Sequence, residues 1–465
     1  MFLDLQLFPE DKIALIDDKK EPISFKKLIE KSEDFYSKIR KRTLVFILAD
    51  NSIESFVAYY SCLSNGIVPL LLNYKIDADL LTKLITKYEP ECLFFPKTRL
   101  EELSYDPLLE YEDFVLVKTG FNETPLNSQL ALLLPTSGST GSPKLVRHSL
   151  GNLEFSATTV GQVFSIGPDD VAIAFLPMYY TMGLSVINSH LKAGAKVVLT
   201  NRSLTDREFW NTMREEKVTS FTGVPYSFEI LDKLRFSRMQ LPDLKIITQG
   251  GGKLKEDLFE KFALLAEEKN VKFIPTYGQT EGSARMAFLS PEKVLEKKGS
   301  IGKAIPSGYL SVINDNGDEL KESGVSVEGE MIYKGPNVTM GYAENIEDLL
   351  KGDENFGFLK TGDIVRRDEE GYFFIIGRKK RFLKIFGLRV SLDEIEGLVK
   401  SRFHVECVCS GSDDQLIIAV NDPENHQKVK EYVSSKTGLF HGVIQVVYQA
   451  EFKRNETGKI ILNDF

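Results

Sequence analysis

The chain has little of what a metal centre or a disulfide framework requires. Its 465 residues include only 4 cysteines, 5 histidines and 1 tryptophan. Cys62, Cys92, Cys407 and Cys409 are too few and too unevenly spaced for a disulfide framework or a zinc site. We expect them to be buried thiols, with Cys407 and Cys409 on one face of a strand because they are two residues apart.

Long apolar runs are also missing. The first twenty residues carry Asp4, Glu10, Asp11 and Asp17, and they contain no apolar core of signal-peptide length. No later run reaches the length that spans a membrane. We therefore expect a cytoplasmic protein without a membrane span.

Positive charge is in deficit, which excludes one class of partner. The chain has 58 Lys and Arg against 67 Asp and Glu, a net charge of -9. Without a basic field to follow a phosphate backbone, no nucleic-acid partner is expected. The length and the 42% hydrophobic content suffice for large cores and exceed one ordinary domain. These features indicate an acidic enzyme of two or more domains.

Apolar runs of strand length alternate with helical stretches between residues 44 and 275. The first series of runs lies at 44–49, 67–73 and 92–95, with helical stretches around 52–65 and 78–88. The second series lies at 171–176, 196–200, 218–223, 244–248 and 271–275, with helices such as 205–215 and 255–269. This alternation predicts parallel, doubly wound sheets.

The pattern changes towards the C-terminus. From about residue 299, Asn316-Gly317 and Glu370-Gly371 lie between β-rich runs and predict hairpins in a small barrel or distorted sheet. Ser391 and Glu394 then form a capping-box pattern at the start of a helix. The predicted fold class is α/β, with a large N-terminal region of two doubly wound α/β subdomains plus a small β-barrel, and a smaller mobile α+β C-terminal domain. We place the boundary between residues 1–379 and 380–465.

One loop carries the strongest functional signal. Two short strand patterns, 131–134 and 145–149, flank a segment of hydroxyls and glycines that closes on Lys144. Its glycines let backbone N–H groups approach an anion, its hydroxyls add donors, and Lys144 supplies positive charge. The residues predicted to hold nucleotide phosphates are Thr136, Ser137, Gly138, Ser139, Thr140, Gly141 and Lys144.

Two other interpretations of this loop were weighed. A Walker phosphate loop needs Gly-Lys followed by Ser or Thr at the start of a helix, whereas Pro143 precedes Lys144 and a strand pattern follows. A flexible Ser/Gly linker is the other alternative. Motifs elsewhere in the chain argue against a linker.

Those motifs follow the loop in order. They are Tyr277-Gly278-Gln279-Thr280-Glu281, Gly329-Glu330 leading to Gly341-Tyr342, Thr361-Gly362-Asp363, Gly377-Arg378 and Thr457-Gly458-Lys459. With the loop they span residues 131–459. The set resembles the signature motifs of the adenylate-forming superfamily, which includes acyl-CoA synthetases, peptide-synthetase adenylation domains and firefly luciferase.

The resemblance implies roles for the matching residues. Tyr277 would pack on adenine, Thr280 would contact the α-phosphate, and Glu281 would be the Mg²⁺ ligand. Lys459 would bridge the carboxylate and the α-phosphate, so Lys459, Thr280 and Glu281 form the expected catalytic set. The other nucleotide contacts expected near these residues are Gly250, Gly251, Gly278 and Gln279.

The C-terminal motifs imply a moving domain. Asp363 would accept the ribose hydroxyls, and Arg378 would hold the ribose or a phosphate. Lys380 matches the family's hinge, about which Lys459 and the region around Gly387 would face the active site in turn.

The acid pocket departs from the family pattern. Tyr180 stands where many acyl-CoA synthetases have a histidine beside the carboxylate. The stretch 182–185 lacks the aspartate with which peptide-synthetase domains pair a substrate ammonium, and a buried ammonium without a carboxylate is costly. We expect an acid without an α-amine, in a pocket that includes Tyr180, Met182, Val224 and Gly252.

The sequence thus predicts an ATP-dependent acid-thiol ligase. It would form an acyl-adenylate with release of pyrophosphate and pass the acyl group to coenzyme A or to the phosphopantetheine of an acyl carrier protein. ATP and Mg²⁺ are the implied cofactors, and a small carboxylic acid is the implied substrate. An aminoacyl-adenylating enzyme that loads a carrier protein and a catalytically silent nucleotide-binding homologue remain as alternatives.

Overall fold

The computed structural model describes residues 2–121, 124–135, 144–385, 388–412, 415–437, 439–454 and 460. Contacts divide the chain into two compact units. The first unit is Met1–Tyr309 with Lys334–Leu359, and the second is Leu310–Tyr333 with Lys360–Phe465.

Helices and strands alternate through most of the first unit and recur in the second. The helices are α1 (Phe25–Ser37), α2 (Ile53–Ser64), α3 (Ala78–Tyr88), α4 (Leu100–Leu103), α5 (Leu150–Phe164), α6 (Thr181–Lys192), α7 (Arg207–Glu215), α8 (Pro225–Lys233), α9 (Glu256–Glu268), α10 (Leu392–Phe403) and α11 (His426–Thr437). The strands are β1 (Ile13–Ile16), β2 (Ile23–Ser24), β3 (Leu44–Ala49), β4 (Val68–Asn73), β5 (Cys92–Pro96), β6 (Pro107–Tyr111), β7 (Phe114–Lys118), β8 (Leu130–Pro135), β9 (Leu145–Ser149), β10 (Val171–Ala174), β11 (Lys196–Leu199), β12 (Ser220–Gly223), β13 (Ile246–Gln249), β14 (Lys272–Tyr277), β15 (Ala287–Phe288), β16 (Lys303–Ala304), β17 (Tyr309–Ile313), β18 (Val327–Lys334), β19 (Tyr342–Ala343), β20 (Phe358–Arg367), β21 (Phe373–Arg378), β22 (Phe382–Ile385), β23 (Leu388–Ser391), β24 (Cys407–Ser412), β25 (Gln415–Val420) and β26 (Ile444–Tyr448).

An eight-stranded sheet in the first unit follows the order β19-β9-β8-β4-β3-β5-β7-β6. Its centre is parallel, since β3 pairs with β4 and β5 and β4 pairs with β8 in that sense. All six residues of β3 are buried, as expected for a strand covered on both faces. The outer strands β6, β7 and β9 pair antiparallel. The predicted parallel core of the sheet is confirmed. The antiparallel strands at its edges were not predicted.

The second sheet of the first unit has nine strands in the order β16-β15-β14-β13-β12-β10-β11-β1-β2. Strands β14, β13, β12, β10, β11 and β1 run parallel. The strand runs predicted between 171 and 275 all lie in this sheet. The carboxyl ends of its parallel strands therefore lie along one edge.

Helix α2 explains how the two sheets share a core. Nearly every residue of α2 is buried, and a helix that is apolar on all sides must be covered on all sides. Phe56 of α2 belongs to one cluster with Ile47 of β3 and Val197 of β11, which come from different sheets. The helix is therefore packed between the sheets.

The second unit contains most of a four-stranded sheet, β17-β18-β20-β21, in the place of the predicted small barrel. It also contains the pair β22-β23 and the sheet β24-β25-β26, which packs with α10 and α11. The Ser391 hydroxyl accepts a hydrogen bond from the Glu394 N–H at 3.2 Å, so the predicted helix start is confirmed. Cys407 and Cys409 lie buried in this core, and Cys62 and Cys92 in that of the first unit, as predicted.

The compact units do not follow the predicted boundary at residue 380, because the four-stranded sheet groups with the C-terminal residues. The division into domains 1–379 and 380–465 stays a prediction. Within the described ranges, no helix combines the length and apolarity that a bilayer crossing demands.

Candidate active site

The predicted site residues of the first unit follow the ends of parallel strands. Tyr180 comes after β10, Val224 directly after β12, the 250–252 glycines after β13, and Tyr277 ends β14. In open α/β sheets, ligands bind outside the carboxyl ends of the strands. The strand order therefore gathers these residues at one edge of the nine-stranded sheet.

Five predicted residues form a single cluster at this edge. Buried Met182 and Val224 pack with the partly buried Tyr180. A Cβ at Gly250 would lie 2.7 Å from Cε of Met182, and one at Gly251 would lie 2.8 Å from the Tyr180 hydroxyl oxygen. Gly251 also has a φ of +77°, which a side chain rarely adopts. The glycines thus leave room that any larger residue would fill.

Gly252 lies beside this cluster rather than in it. A Cβ there would meet Cγ of Pro225 at 3.2 Å. Gly250 and Gly251, which we predicted as nucleotide contacts, are in turn the glycines that face Met182 and Tyr180. The glycine run thus forms a wall of the predicted acid pocket.

The segment Tyr277–Glu281 is shaped by a close backbone approach. A Cβ at Gly278 would lie 1.6 Å from the carbonyl oxygen of Ala284, so only glycine fits. The Gln279 side chain donates to the Tyr277 hydroxyl at 3.0 Å. The Thr181 hydroxyl donates to that of Thr280 at 3.1 Å, which ties the first turn of α6 to the predicted α-phosphate contact.

Lys144, Tyr342 and Glu281 come together although they are far apart in sequence. The Tyr342 hydroxyl donates to the Glu281 carboxylate at 2.7 Å. The Lys144 ammonium lies 5.7 Å from the centroid of the Tyr342 ring and 2.5 Å from a carboxylate oxygen of Glu344. Burial, followed by the charge of Glu281, raises the pKa of Tyr342, so its hydroxyl stays a donor. A cation over the ring and a carboxylate at the hydroxyl thus both contact one phenol.

Glu281 fits the predicted Mg²⁺ role on chemical grounds. Within the described residues, no group of three or more His, Cys, Asp or Glu side chains could hold a metal by itself. Mg²⁺ is commonly bound by one or two carboxylates together with substrate phosphates and water. A single oriented carboxylate that shares Tyr342 with Lys144, a predicted phosphate contact, matches that donor set.

The second unit brings together the two residues predicted to hold the ribose. Asp363 on β20 and Arg378 on β21 are register partners. The Arg378 side chain donates to Asp363 through Nε at 3.1 Å. Asp363 is 2% exposed, so its carboxylate is fixed by its surroundings before any ligand arrives.

The remaining predicted residues lie outside what the structure describes. These are Thr136, Ser137, Gly138, Ser139, Thr140 and Gly141 of the loop, and Lys459. Lys380 lies in a short 3-10 turn, Lys379–Arg381. Its neighbours are paired, Lys379 with Glu330 at 2.7 Å and Arg381 with Asp393 at 2.6 Å. The roles predicted for all of these residues stay predictions.

Two residues of this site were not singled out from the sequence. Tyr342 orients Glu281, and Thr181 bonds Thr280. The motif Gly341-Tyr342 can be recognised in the sequence, but only the fold shows that the Tyr342 hydroxyl donates a hydrogen bond to Glu281. Thr181 is the residue after Tyr180, and no motif or periodic pattern in the sequence indicates a role for it.

Two surface hollows lie away from this edge. Both are lined by residues that include Phe236 and Leu265. None of the predicted site residues lines either hollow. We therefore place the candidate site at the carboxyl ends of the strands and not in these hollows.

The environment of Tyr180 leads to a pH prediction. Burial raises the pKa of Tyr180 to about 12, although the charge of Arg285 opposes the shift. The phenol therefore stays neutral across the working range, and we expect no inflection from it between about pH 6 and 9. Burial and Arg285 would both lower the pKa of an imidazole at this position. Tyr180→His should thus add an inflection at or below about pH 6.5 in the rate of acid activation. Identical profiles for both proteins would contradict this placement.

The geometry of Lys144 leads to a second prediction. Its contact with Glu344 joins two side chains that are 54% and 56% exposed, and such pairs contribute little, so phosphate can displace Glu344 at small cost. Lys144→Ala should weaken ATP use by about 1 to 3 kcal/mol without unfolding the protein. The same loss is expected for Thr140→Ala. ATP kinetics measured for both variants test this, and unchanged values in both would remove the loop from the site.

Known proteins resemble this chain along most of its length. A family model described as AMP-binding enzyme matches residues 4–343. The 2-succinylbenzoate–CoA ligase of Bacillus subtilis is 27% identical over 481 residues, covering 98% of this chain and 95% of that protein. The indoleacetate–CoA ligase of Aromatoleum aromaticum is 26% identical over 468 residues, covering 92% of this chain and 88% of that protein.

Solved structures agree on the fold. The O-succinylbenzoate coenzyme A synthetase of Bacillus subtilis in complex with AMP superposes with a TM-score of 0.79 at 24% identity, covering 100% of this chain and 97% of that one. The same Bacillus subtilis protein has been solved with ATP and a magnesium ion. The predicted fold class is thereby confirmed.

Proposed function

The chain belongs to the AMP-binding enzyme family, and from that premise we propose that it is an AMP-forming acid-CoA ligase. In the first half-reaction, a carboxylate oxygen attacks the α-phosphorus of ATP. The bond to the bridging oxygen breaks, and pyrophosphate leaves. In the second, the sulfur of coenzyme A attacks the acyl carbon, the thiol gives up its proton, and AMP leaves.

One observation carries the proposal. The cluster of Tyr180, Met182 and the 250–251 glycines adjoins the nucleotide motif, because Thr181 at the start of α6 is hydrogen-bonded to Thr280. A carboxylic acid in that cluster lies beside the residue predicted to contact the α-phosphate. Bringing the two reactants together accounts for much of the rate enhancement in such reactions.

The polar residues supply the charge that this chemistry needs. Two anions must approach each other, so donors and cations must stabilise the phosphate oxygens. Lys144 would contact the leaving pyrophosphate, and Thr280 the α-phosphate. Glu281 would hold Mg²⁺, which when bound neutralises phosphate charge. Asp363 and Arg378 would bind the ribose or a phosphate.

The pocket favours an acid without an ammonium group. The stretch 182–185 at the start of α6 contains no carboxylate, and the described apolar residues of the pocket are Tyr180, Met182 and Val224 with neighbouring Leu176 and Phe175. The relatives are named for acids that have no α-amine, 2-succinylbenzoate and indoleacetate, and for transfer to coenzyme A. These points support coenzyme A over an amino-acid-loading role. A cytoplasmic location, where both ATP and coenzyme A are available, is part of the same proposal.

Acid-dependent exchange of labelled pyrophosphate into ATP tests the proposal. A panel of aryl and aliphatic acids should include members that drive exchange, while amino acids should not. Addition of coenzyme A should then yield a thioester and AMP, and a phosphopantetheinylated carrier protein offered in its place should accept little. ATP binding without exchange for any acid would instead support the catalytically silent alternative.

The two half-reactions require two arrangements of the C-terminal residues, and we place the pivot at Lys380 between the paired Lys379 and Arg381. Proline there would fix φ near about -65° and remove the N–H. Lys380→Pro should slow the thioester step at least about tenfold while pyrophosphate exchange persists, because exchange needs one arrangement only. Each half-reaction is measured separately, with Lys380→Ala as the side-chain control. Full thioester turnover in the proline variant would move the pivot elsewhere.

A further inference from the structure

Arg285 is a buried arginine that the proposed chemistry does not use. It is 2% exposed, and its guanidinium lies between helices α5 and α6 and strand β13. Its polar partners are two neutral hydroxyls at long distances, Ser185 at 3.3 Å and Thr248 at 3.4 Å. Its Nε has no hydrogen-bond partner within the part of the chain that the structure describes. The charge of Arg285 is thus removed from water, and only weak hydrogen bonds compensate for the lost hydration.

No described carboxylate compensates this charge. None of the ion pairs among the described residues includes Arg285, and burial lowers its pKa to about 10, which still leaves it charged near neutral pH. The Phe164 ring, 5.0 Å from the guanidinium carbon, offers a cation–π contact, which is weaker than an ion pair. An arginine in such a setting is an unfilled site for an anion.

Arg147 shows what a structural buried arginine looks like in the same unit. Its guanidinium donates to the carbonyl oxygens of Met340 at 2.9 Å and Tyr342 at 3.0 Å and forms an ion pair with Glu354. It also donates to the carbonyl oxygens of Lys351 and Gly352. Every nitrogen of that side chain is satisfied. Arg285 differs from it in having neither a carboxylate nor a carbonyl acceptor among the described residues.

The guanidinium of Arg285 lies next to the acid pocket. Ser185 is one helical turn beyond Met182, so the two side chains lie on the same face of α6. Thr248 precedes Gly250 by two residues, and alternate residues of a strand share a face. The charges of Tyr180 and Arg285 also affect each other's pKa. Ser185 and Thr248, the hydroxyl partners of Arg285, thus continue inward the pocket wall formed by Tyr180, Met182 and Gly250.

The backbone of Arg285 is held by Asn337 and packs against the nucleotide motif. Its carbonyl oxygen accepts from the Asn337 side chain at 3.0 Å. A Cβ at Gly278 would lie 2.9 Å from the Arg285 Cα, so the two segments touch. The distance from the predicted α-phosphate contact to the cation is therefore fixed by the fold.

We propose that Arg285 binds a second anionic group on the substrate, so that the preferred acids are dicarboxylates of which one carboxylate is activated and the other is held by Arg285. This inference rests on the proposed acid-CoA ligase function. The anion would enter the protein only with the substrate, which explains why the free chain leaves the cation without a counterion. Neutral acids would leave that charge unpaired in the complex, and this selects against them.

The wild-type enzyme tests the idea first. Rates of thioester formation are compared for glutarate, adipate and 3-(2-carboxyphenyl)propanoate, each beside the monomethyl ester that masks the carboxylate not activated. At least one diacid should exceed its ester roughly tenfold or more in kcat/KM. A uniform preference for the esters or for plain monocarboxylic acids would overturn the proposal.

Variants then assign the preference to Arg285. Arg285→Gln should lower kcat/KM for the diacid roughly a hundredfold and for its ester less than about threefold. Arg285→Lys should retain more of the preference than Arg285→Gln because it keeps the charge. Equal losses on both acids would instead indicate a structural arginine.

Thermal unfolding without substrates gives an independent readout. Arg285→Met should leave the Tm unchanged or raise it, because it removes an uncompensated buried charge. The matched control Arg147→Met should lower the Tm, because it leaves several carbonyl oxygens and Glu354 without their partner. A large fall in Tm for Arg285→Met would count against the proposal.

The results distinguish a failure of the role proposed for Arg285 from a failure of the proposed ligase function. If monocarboxylic acids form CoA thioesters and no diacid does, the ligase function stands and the role of Arg285 is refuted. If no acid of either kind supports pyrophosphate exchange, the ligase function fails and this inference fails with it.

Discussion

Glu281→Gln should slow adenylate formation by roughly a hundredfold or more while leaving the fold intact. The substitution keeps the size of the side chain and an oxygen that can accept from the Tyr342 hydroxyl, which donates to Glu281 at 2.7 Å. It removes the negative charge that would hold Mg²⁺ beside the phosphates. The rate of pyrophosphate exchange should recover in part as Mg²⁺ is raised, because the metal would then bind mainly through ATP.

Glu344→Gln is the matched control for that experiment. Glu344 lies in the same cluster but contacts Lys144, and both side chains are about half exposed. An exposed ion pair contributes little free energy, so we expect the rate of adenylate formation to change by less than about threefold. A Glu281→Gln enzyme that is as active as this control would show that the metal is held elsewhere.

Lys459→Ala should reduce adenylate formation roughly a hundredfold or more, the scale for removing one donor to transition-state charge. The family resemblance assigns this lysine to the carboxylate and the α-phosphate. Those groups come together only in the first half-reaction. Thioester formation from a supplied acyl-adenylate should therefore stay nearly intact.

The two half-reactions are measured separately, with Lys428→Ala as a control on the surface of α11. The control should leave both rates unchanged, since an exposed lysine with no predicted ligand has nothing to contribute to either step. Equal losses in both half-reactions for Lys459→Ala would refute the assignment.

The parallel centres of both sheets were predictable because their strands are short, apolar runs between amphipathic helices. Strand β3, buried at every position, illustrates the signal. The antiparallel edges were not predicted, since whether a strand pairs parallel or antiparallel depends on partners far away in the chain. The grouping of the four-stranded sheet with the C-terminal residues is likewise a property of contacts, and the sequence contains no pattern for it.

The acid pocket was predicted in part. Tyr180 and Met182 were predicted from their place in family motifs and Val224 as a further pocket residue, and the structure brings them together with Gly250 and Gly251. Arg285 was missed because a single arginine after a motif has no periodicity and is most often solvated. Only the fold shows that this one is buried without a counterion among the described residues, and our proposal on the substrate class depends on it.

The products of a complete turnover test the central claim most directly. Purified enzyme is incubated with ATP, Mg²⁺, coenzyme A and an acid that supports exchange, and all products are quantified. An AMP-forming ligase should release one AMP and one pyrophosphate for each acyl-CoA formed. Formation of ADP and phosphate instead, or consumption of ATP without any thioester, would contradict the account.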